Sequence, residues 1–314
     1  MTFSLALAVF AGLVSAAMFA VMSTGHPLSP ILVYFTALPL FALGLARGAV
    51  SVFFAVAVGA LAIASIARIE LAAAFVLAFA LPTALLVQRA LLSRPGGSGT
   101  VEWYPPGRLV LALAALALVI FGGGLAVVSF GEGDATATLA EMFGVSRLAL
   151  DPRLAERISP ETVAAVMVAL PGIGAAAWMI MMTVNGTLAQ AILKRQGWNA
   201  RPGGGLAGLS IEPWFAVPGI LGALLWWLGE GTPRLLGALI ALVVAVVYLY
   251  QGLAVIHGVS WRLRWRTAAL VGFYAALVLA DQYVAPVIVL LGLAEPWLRL
   301  RERLAPAGGG GKEE

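Results

Sequence analysis

Asp281, with Gln282 and Tyr283 beside it, stands in the middle of the apolar run from Ala268 to Ala294. A carboxylate at the centre of a bilayer costs roughly 2.5–3.5 kcal/mol on insertion scales. It therefore reads either as a ligand, ion or proton site or as the turn between two half-spans. His257 shares a helical face with Tyr250 and Trp261 at one- and two-turn spacing, close to Arg262, Arg264 and Arg266. An imidazole there could act as an acid or base, but no acidic residue at helical spacing orients it, so an ordinary interfacial histidine is the competing reading. Asp281, Gln282, His257 and Tyr250 are the candidate ligand or ion residues.

A second constellation is TVNGTLAQAILKRQGWNARPGGG (183–205), in which Thr183, Thr187, Gln190 and Lys194 recur at three-and-four spacing and fall on one helical stripe. Asn185, Thr187, Gln190, Lys194, Arg195 and Trp198 supply amides, a hydroxyl, cations and an indole that could meet a phosphate, a polar substrate or a cytoplasmic protein partner. The competing reading is a helix entering water.

GIGAAA (172–177) looks like part of a dinucleotide fingerprint, but it sits in an apolar span with no preceding strand, so helix packing explains it. The chain carries no serine elbow, P-loop or paired-histidine zinc motif, which leaves scattered Asp281, His257 and Glu212 and no catalytic residue to assign. With no cysteine and two histidines, neither a metal nor another cofactor is expected.

The elements that must position these residues follow from composition. Of 314 residues, 61% are hydrophobic and 11% charged, and the mean hydropathy is +0.99. Soluble domains carry about 25% charged residues. Backbone groups in hydrocarbon must be bonded within their own segment, and long unalternating apolar runs satisfy that only as helices. The expected fold is all-α: a polytopic transmembrane helical bundle of about eight to ten spans. The formal charge of +4 and pI near 9.8 arise from Lys and Arg beside apolar runs. They read as topology signals facing the lipid bilayer, not as a nucleic-acid surface.

Residues 3–22 are apolar for a full crossing and lack the basic flank of a signal peptide, so they are expected to stay as the first span. Ile31 to Leu45 is short and holds Pro39, which suggests a kinked or re-entrant element. Ala49–Ile66 and Leu71–Val87 follow as spans. A Gly- and Pro-rich link (93–108) and a span from Leu109 to Phe130 come next, the latter interrupted by Gly122, Gly123 and Gly124, which let a neighbouring helix approach closely or the backbone unwind. Residues 131–160 read as an extracytoplasmic amphipathic loop. Ser159 and Pro160 then open a helix with no stop before Gly197, about 55 Å long and so expected to project into the cytoplasm. Trp214–Leu228 and Leu235–His257 are the next spans. Residues 1–304 are expected as one integral membrane domain and 305–314 as a disordered tail.

Counting Lys and Arg places the connections 89–108, 194–201 and 262–266 on one side, and alternation then puts the N-terminus in the cytoplasm of a bacterial inner membrane. Arg299, Arg301 and Arg303 share that side only if the last apolar region breaks near Asp281.

ALPLFALGLARGAV (37–50), NGTLAQAILKRQGWNARP (185–202), and QGLAVIHG (251–258) with GLAEPWLRLR (292–301) resemble the YybS-like family of bacterial membrane proteins of unknown function. That family distantly resembles the substrate-capture (S) components of energy-coupling-factor transporters. Glu295 and Pro296 stand at a turn where the family pattern commonly has aspartate. The resemblance implies capture or transport of a small-molecule substrate without a cofactor. A membrane scaffold that docks a cytoplasmic partner through 185–205, and a membrane enzyme acting on a lipid-linked substrate, are the other function classes.

A reporter that works only in the cytoplasm, fused after Glu314, is expected to be active. An inactive cytoplasmic fusion with an active periplasmic one would mean that the last region is a single span.

Overall fold

The computed structural model describes residues 2–130, 135–142, 159–202, 208–261 and 263–303. Most of 131–160 and all of the tail 305–314 lie outside the described residues. Seven helices among the described residues are long and apolar enough to cross a membrane, and an eighth span exists if the bent pair near the C-terminus counts as one. The helical-bundle class is thus as expected. Among the described residues, a small antiparallel hairpin departs from it in the 93–108 link, β1 (Ser93–Pro95) paired with β2 (Val101–Trp103).

The described chain forms two compact units. The first comprises Met1–Leu116 and Ala177–Gly203, the second Ala117–Ala176 and Gly204–Glu314. The first unit contains α1 (Thr2–Ala20), α2 (Ser29–Tyr34), α3 (Leu38–Arg47), α4 (Ala49–Ile66), α5 (Ile69–Phe75) and α6 (Leu81–Ala90). It also takes the start of α7 (Pro106–Phe130). The second unit contains the rest of α7 and α8 (Ala135–Met142). The long α9 (Pro160–Gln196) gives its first part to the second unit and its last part to the first. Completing the second unit are α10 (Ala216–Leu228), α11 (Gly231–Ser260), α12 (Arg266–Leu279), α13 (Asp281–Leu298) and α14 (Leu300–Arg303).

Local chemistry explains most boundaries. The Ser159 hydroxyl accepts the Thr162 amide N–H and opens α9, whose 37 residues end at Gly197, where φ is +69°. That left-handed residue costs glycine little and terminates the helix. The span Ser29–Arg47 is broken at residues 35–37: Pro39 has no N–H for the Phe35 carbonyl, and the chain turns before α3 starts. Between α5 and α6 the helix widens into a single π turn, Val76–Ala80, for the same reason, because Pro82 cannot bond the Ala78 carbonyl. The last apolar region breaks at Ala280, and α12 and α13 are bent by 118°. A break beside Asp281 was the expectation.

Two expectations change. Gly122 to Gly124 neither interrupt α7 nor mark a tight crossing: a Cβ added at Gly122 would meet the Leu239 side chain only at an ordinary 3.8 Å, and one at Gly123 or Gly124 would enter open space. The apolar stretch expected as the seventh span makes a helix of only Pro213–Leu228, about 24 Å at 1.5 Å per residue against a core of about 30 Å.

Small residues set the close crossings. In the first unit, a Cβ at Gly12 would overlap the Ala55 carbonyl where α1 meets α4. In the second, Gly172 packs against the Ala238 carbonyl, and Gly252 and Gly292 meet where α11 crosses α13, each leaving no room for a Cβ beside the carbonyl of Ile288 or Tyr248. The outer cluster Leu125, Ala135, Leu139, Met167 and Leu235 seats the amphipathic α8 on α7, α9 and α11.

Gly292→Ala must push two backbones apart, which costs roughly 1–3 kcal/mol. Gly123→Ala enters open space in mid-helix, where alanine is the better former. Thermal denaturation in detergent should show a lowered midpoint for the first and an unchanged or raised one for the second.

Candidate functional site

At one end of the first unit the C-termini of α3, α6 and α9 gather with the start of α7. The Ala200 N–H donates to the Leu45 carbonyl, and the Arg201 guanidinium donates to the carbonyls of Ala90 (3.0 Å) and Tyr104 (2.9 Å). Burial pushes the Arg201 guanidinium below its ordinary value. Arg47, Arg89, Arg94, Arg108, Lys194, Arg195 and Arg201 all belong to these helix ends and their connections, against the single acid Glu102, which pairs with Arg94 at 2.7 Å. The opposite end, at the α4–α5 turn, holds the Arg68–Glu70 pair. The unit is therefore strongly basic at one end and balanced at the other.

Just inside the basic end lies a cavity of about 510 Å³, lined by Leu7, Phe10 and Ala11 of α1, by Pro39, Ala42, Leu43, Ala46 and Arg47 of α3, and by Leu193 and Trp198 at the end of α9. That is within the range of small-molecule pockets, about 300–1,000 Å³, and its wall has their usual character of apolar surface with few polar groups. Arg47 and Trp198, both exposed, stand at the water-facing end of the helices that form it.

The position of α3 is set by polar side chains reaching the helix break from other spans. The buried Asn185 side-chain amide donates to the Tyr34 carbonyl and to the Met181 carbonyl, both at 2.8 Å, and the Ser15 hydroxyl donates to the Thr36 carbonyl. Ser15, Thr36 and Asn185 are each fully buried. Without those donors the carbonyls freed by the break would face hydrocarbon with no partner. Among the described residues, Asn185 Oδ1 and Thr36 Oγ1 meet no hydrogen-bond partner.

These contacts relocate much of the 185–205 constellation. Asn185 is not on a docking surface but inside the bundle. Thr187 is exposed and bonds back to the Thr183 carbonyl at 2.8 Å, and Gln190 is half-buried and donates to the Arg201 carbonyl at 2.7 Å, so it ties the 198–202 segment to α9. Lys194, Arg195 and Trp198 are exposed on the last turn of the helix and just beyond it. Length and boundaries of α9 are as expected, whereas its polar stripe serves two ends, one inside the protein and one at the surface.

The second unit holds the other candidates apart. Asp281 and Gln282 are exposed, and the Asp281 carboxylate accepts the N–H of its sequence neighbour Gln282 at 2.8 Å in the first turn of α13, not in an interior site. His257 Nδ1 lies 2.9 Å from the Leu253 carbonyl and Nε2 lies 3.4 Å from the Tyr274 hydroxyl on α12. Tyr250 is buried. Residues that sequence reasoning passed over do more: buried Gln251 accepts the Ile211 N–H and donates to the Gly292 carbonyl at 2.8 Å. Glu295 is not at a turn but inside α13, 5% exposed. Its carboxylate accepts the N–H groups of Leu300 and Arg301 and pairs with the Arg301 guanidinium at 2.9 Å, while Arg301 also donates to the Leu209 carbonyl. Three donors thus meet the buried carboxylate, which offsets the cost of taking it out of water. The quoted stretches 251–258 and 292–301 thus pack on each other, as do 37–50 and 185–202 in the first unit, where Phe41 meets Gly186.

Residues 6–295 match the family described as "Predicted membrane protein (DUF2232)". The chain belongs to that family. Comparison with curated proteins and with solved structures finds no match. The match spans both units, includes 37–50, 185–202 and 251–258 whole, and ends within 292–301.

Asn185→Ala leaves the Tyr34 carbonyl unpaired. Hydrogen bonds between membrane helices average about 0.6 kcal/mol and reach about 1.7. The expected loss is therefore about 1 kcal/mol, read as a smaller fall in thermal midpoint than that of Gly292→Ala. Thr187→Ala, at an exposed hydroxyl that bonds only its own helix, should leave the midpoint unchanged.

Proposed function

We propose that this multi-pass membrane protein captures a small molecule from within the bilayer, as a binding protein without catalytic residues. One observation carries the reading: the cavity of about 510 Å³ between α1, α3 and the end of α9, with an apolar wall and a basic mouth. Cofactor and metal chemistry play no part in it. In this respect it resembles the S components of energy-coupling-factor transporters, which bind substrate within a helical bundle and leave the energy supply to partners.

Orientation follows from charge. The basic ends of the spans are proposed to face the cytoplasm of a bacterial inner membrane, with the N-terminus on that side, in accord with the positive-inside rule. The bend at Ala280 supports the same arrangement for the second unit, because a region that turns back returns Arg299, Arg301 and Arg303 toward the end where Arg264 and Arg266 lie. A cytoplasmic protein partner, as a scaffold or energising role requires, would meet the chain at the exposed Lys194 and Arg195.

The test is to extract the full chain in mild detergent and to identify co-purifying small molecules by mass spectrometry, beside an Ala42→Trp variant in which the indole fills the cavity. A bound molecule in the native chain, reduced at least tenfold in the variant, is expected. Equal retention in both would place the ligand elsewhere and remove the cavity from the argument.

A further inference from the structure

We infer that the occupant of this cavity is a single-chain amphiphile with an anionic head, a phosphate or a carboxylate, whose tail lies along α3 and whose head meets Arg47. The inference rests on the capture reading above and adds the ligand's chemistry to it.

The lining has direction. From Pro39 to Arg47 the α3 wall runs about 12 Å along the helix axis, and it is apolar through Ala42, Leu43 and Ala46 until the guanidinium at its end. A polar or fully charged ligand would leave its own groups unpaired against that wall, at several kcal/mol each, and a plain hydrocarbon would make no use of the mouth. The mouth belongs to the basic end of the unit, whose cations outnumber its acids, so complementarity asks for an anion. A guanidinium matches the planar oxygen pair of a phosphate or carboxylate bidentately. Trp198, 66% exposed at the same end, is suited to headgroup depth.

Size limits the tail. About 510 Å³ is the volume of a pocket for one small ligand, enough for one chain and a head. Entry is lateral. Phe10, which lines the cavity, is 67% exposed in the middle of an apolar span, so an amphiphile already dissolved in the leaflet would reach the site without crossing water.

The experiment uses the full chain in mild detergent, titrated with dodecyl phosphate and followed by native mass spectrometry, with dodecyl phosphocholine, inorganic phosphate and dioleoyl phosphatidic acid as competitors. One dodecyl phosphate per chain is expected. Arg47→Gln should raise the half-saturating concentration at least tenfold, Arg47→Lys should recover part of the loss, and Ala42→Trp should remove the adduct. If Arg47→Gln binds dodecyl phosphate as the native chain does while Ala42→Trp does not, the head assignment is overturned and the capture reading stands. Displacement by inorganic phosphate alone would overturn the tail. Displacement by phosphatidic acid at equal concentration would make the occupant an ordinary bilayer lipid. An adduct that survives Ala42→Trp unchanged would remove the cavity itself, and with it the capture reading.

Discussion

A carbonyl freed inside hydrocarbon has no water to turn to, and the places where this chain departs from regular helix are organised around that fact. Pro82 leaves the Ala78 carbonyl without its helical donor, and the Trp178 indole N–H, a hundred residues further along the chain, supplies one at 2.7 Å. The break at residues 35–37 frees the carbonyls of Tyr34 and Thr36, and Asn185 and Ser15 answer them. In both cases the donor comes from a different span of the same unit. Each irregularity is therefore also a tether, and removing the donor loosens two helices instead of one. This is how α9, through Trp178 and Asn185, holds the first unit together along its length.

The second unit meets the same constraint by another route. Its long α11 packs on α10 and α13 through glycines whose missing Cβ atoms let backbones touch, and the Gln251 side chain adds one polar tie from α11 to the Gly292 carbonyl on α13. Polar side chains appear where a non-helical segment arrives: Gln251 and Arg301 bind the backbone at Ile211 and Leu209, and Glu295 closes the turn after α13. Asp281 sits at a break too, but its partner is the next N–H in sequence, which needs no other helix. That difference explains why Asp281 is exposed whereas Glu295 is buried.

Stability and the proposed capture role share their parts in the first unit. The break pinned by Asn185 and Ser15 sets where α3 begins, and α3 is the longest wall of the cavity. Gln190 holds the chain after α9 through Arg201, and Arg201 in turn reaches the ends of α6 and the hairpin link, which keeps Trp198 beside Leu193 at the mouth. The cavity is thus framed by contacts made outside it, and its own lining stays apolar.

Hydropathy alone determined the class of this protein, because a chain with 11% charged residues and long apolar runs has no soluble solution. Local signals determined the bounds of α9, where Ser159 and Gly197 act on their nearest neighbours, and charge counting anticipated the break at Ala280. Such features were legible because each rests on residues adjacent in the chain. Whether a polar residue on a helix faces water or another helix's carbonyl does not depend on its neighbours in sequence. Asn185 and Lys194 share one helix of 37 residues, yet only the fold buries the first against Tyr34 and leaves the second exposed. Likewise Gly292 and Gly123 look alike in an apolar run, and tertiary packing gives one a carbonyl to meet and the other open space. The cavity arises the same way: its lining residues come from three helices, and no spacing along any one of them encodes the gap.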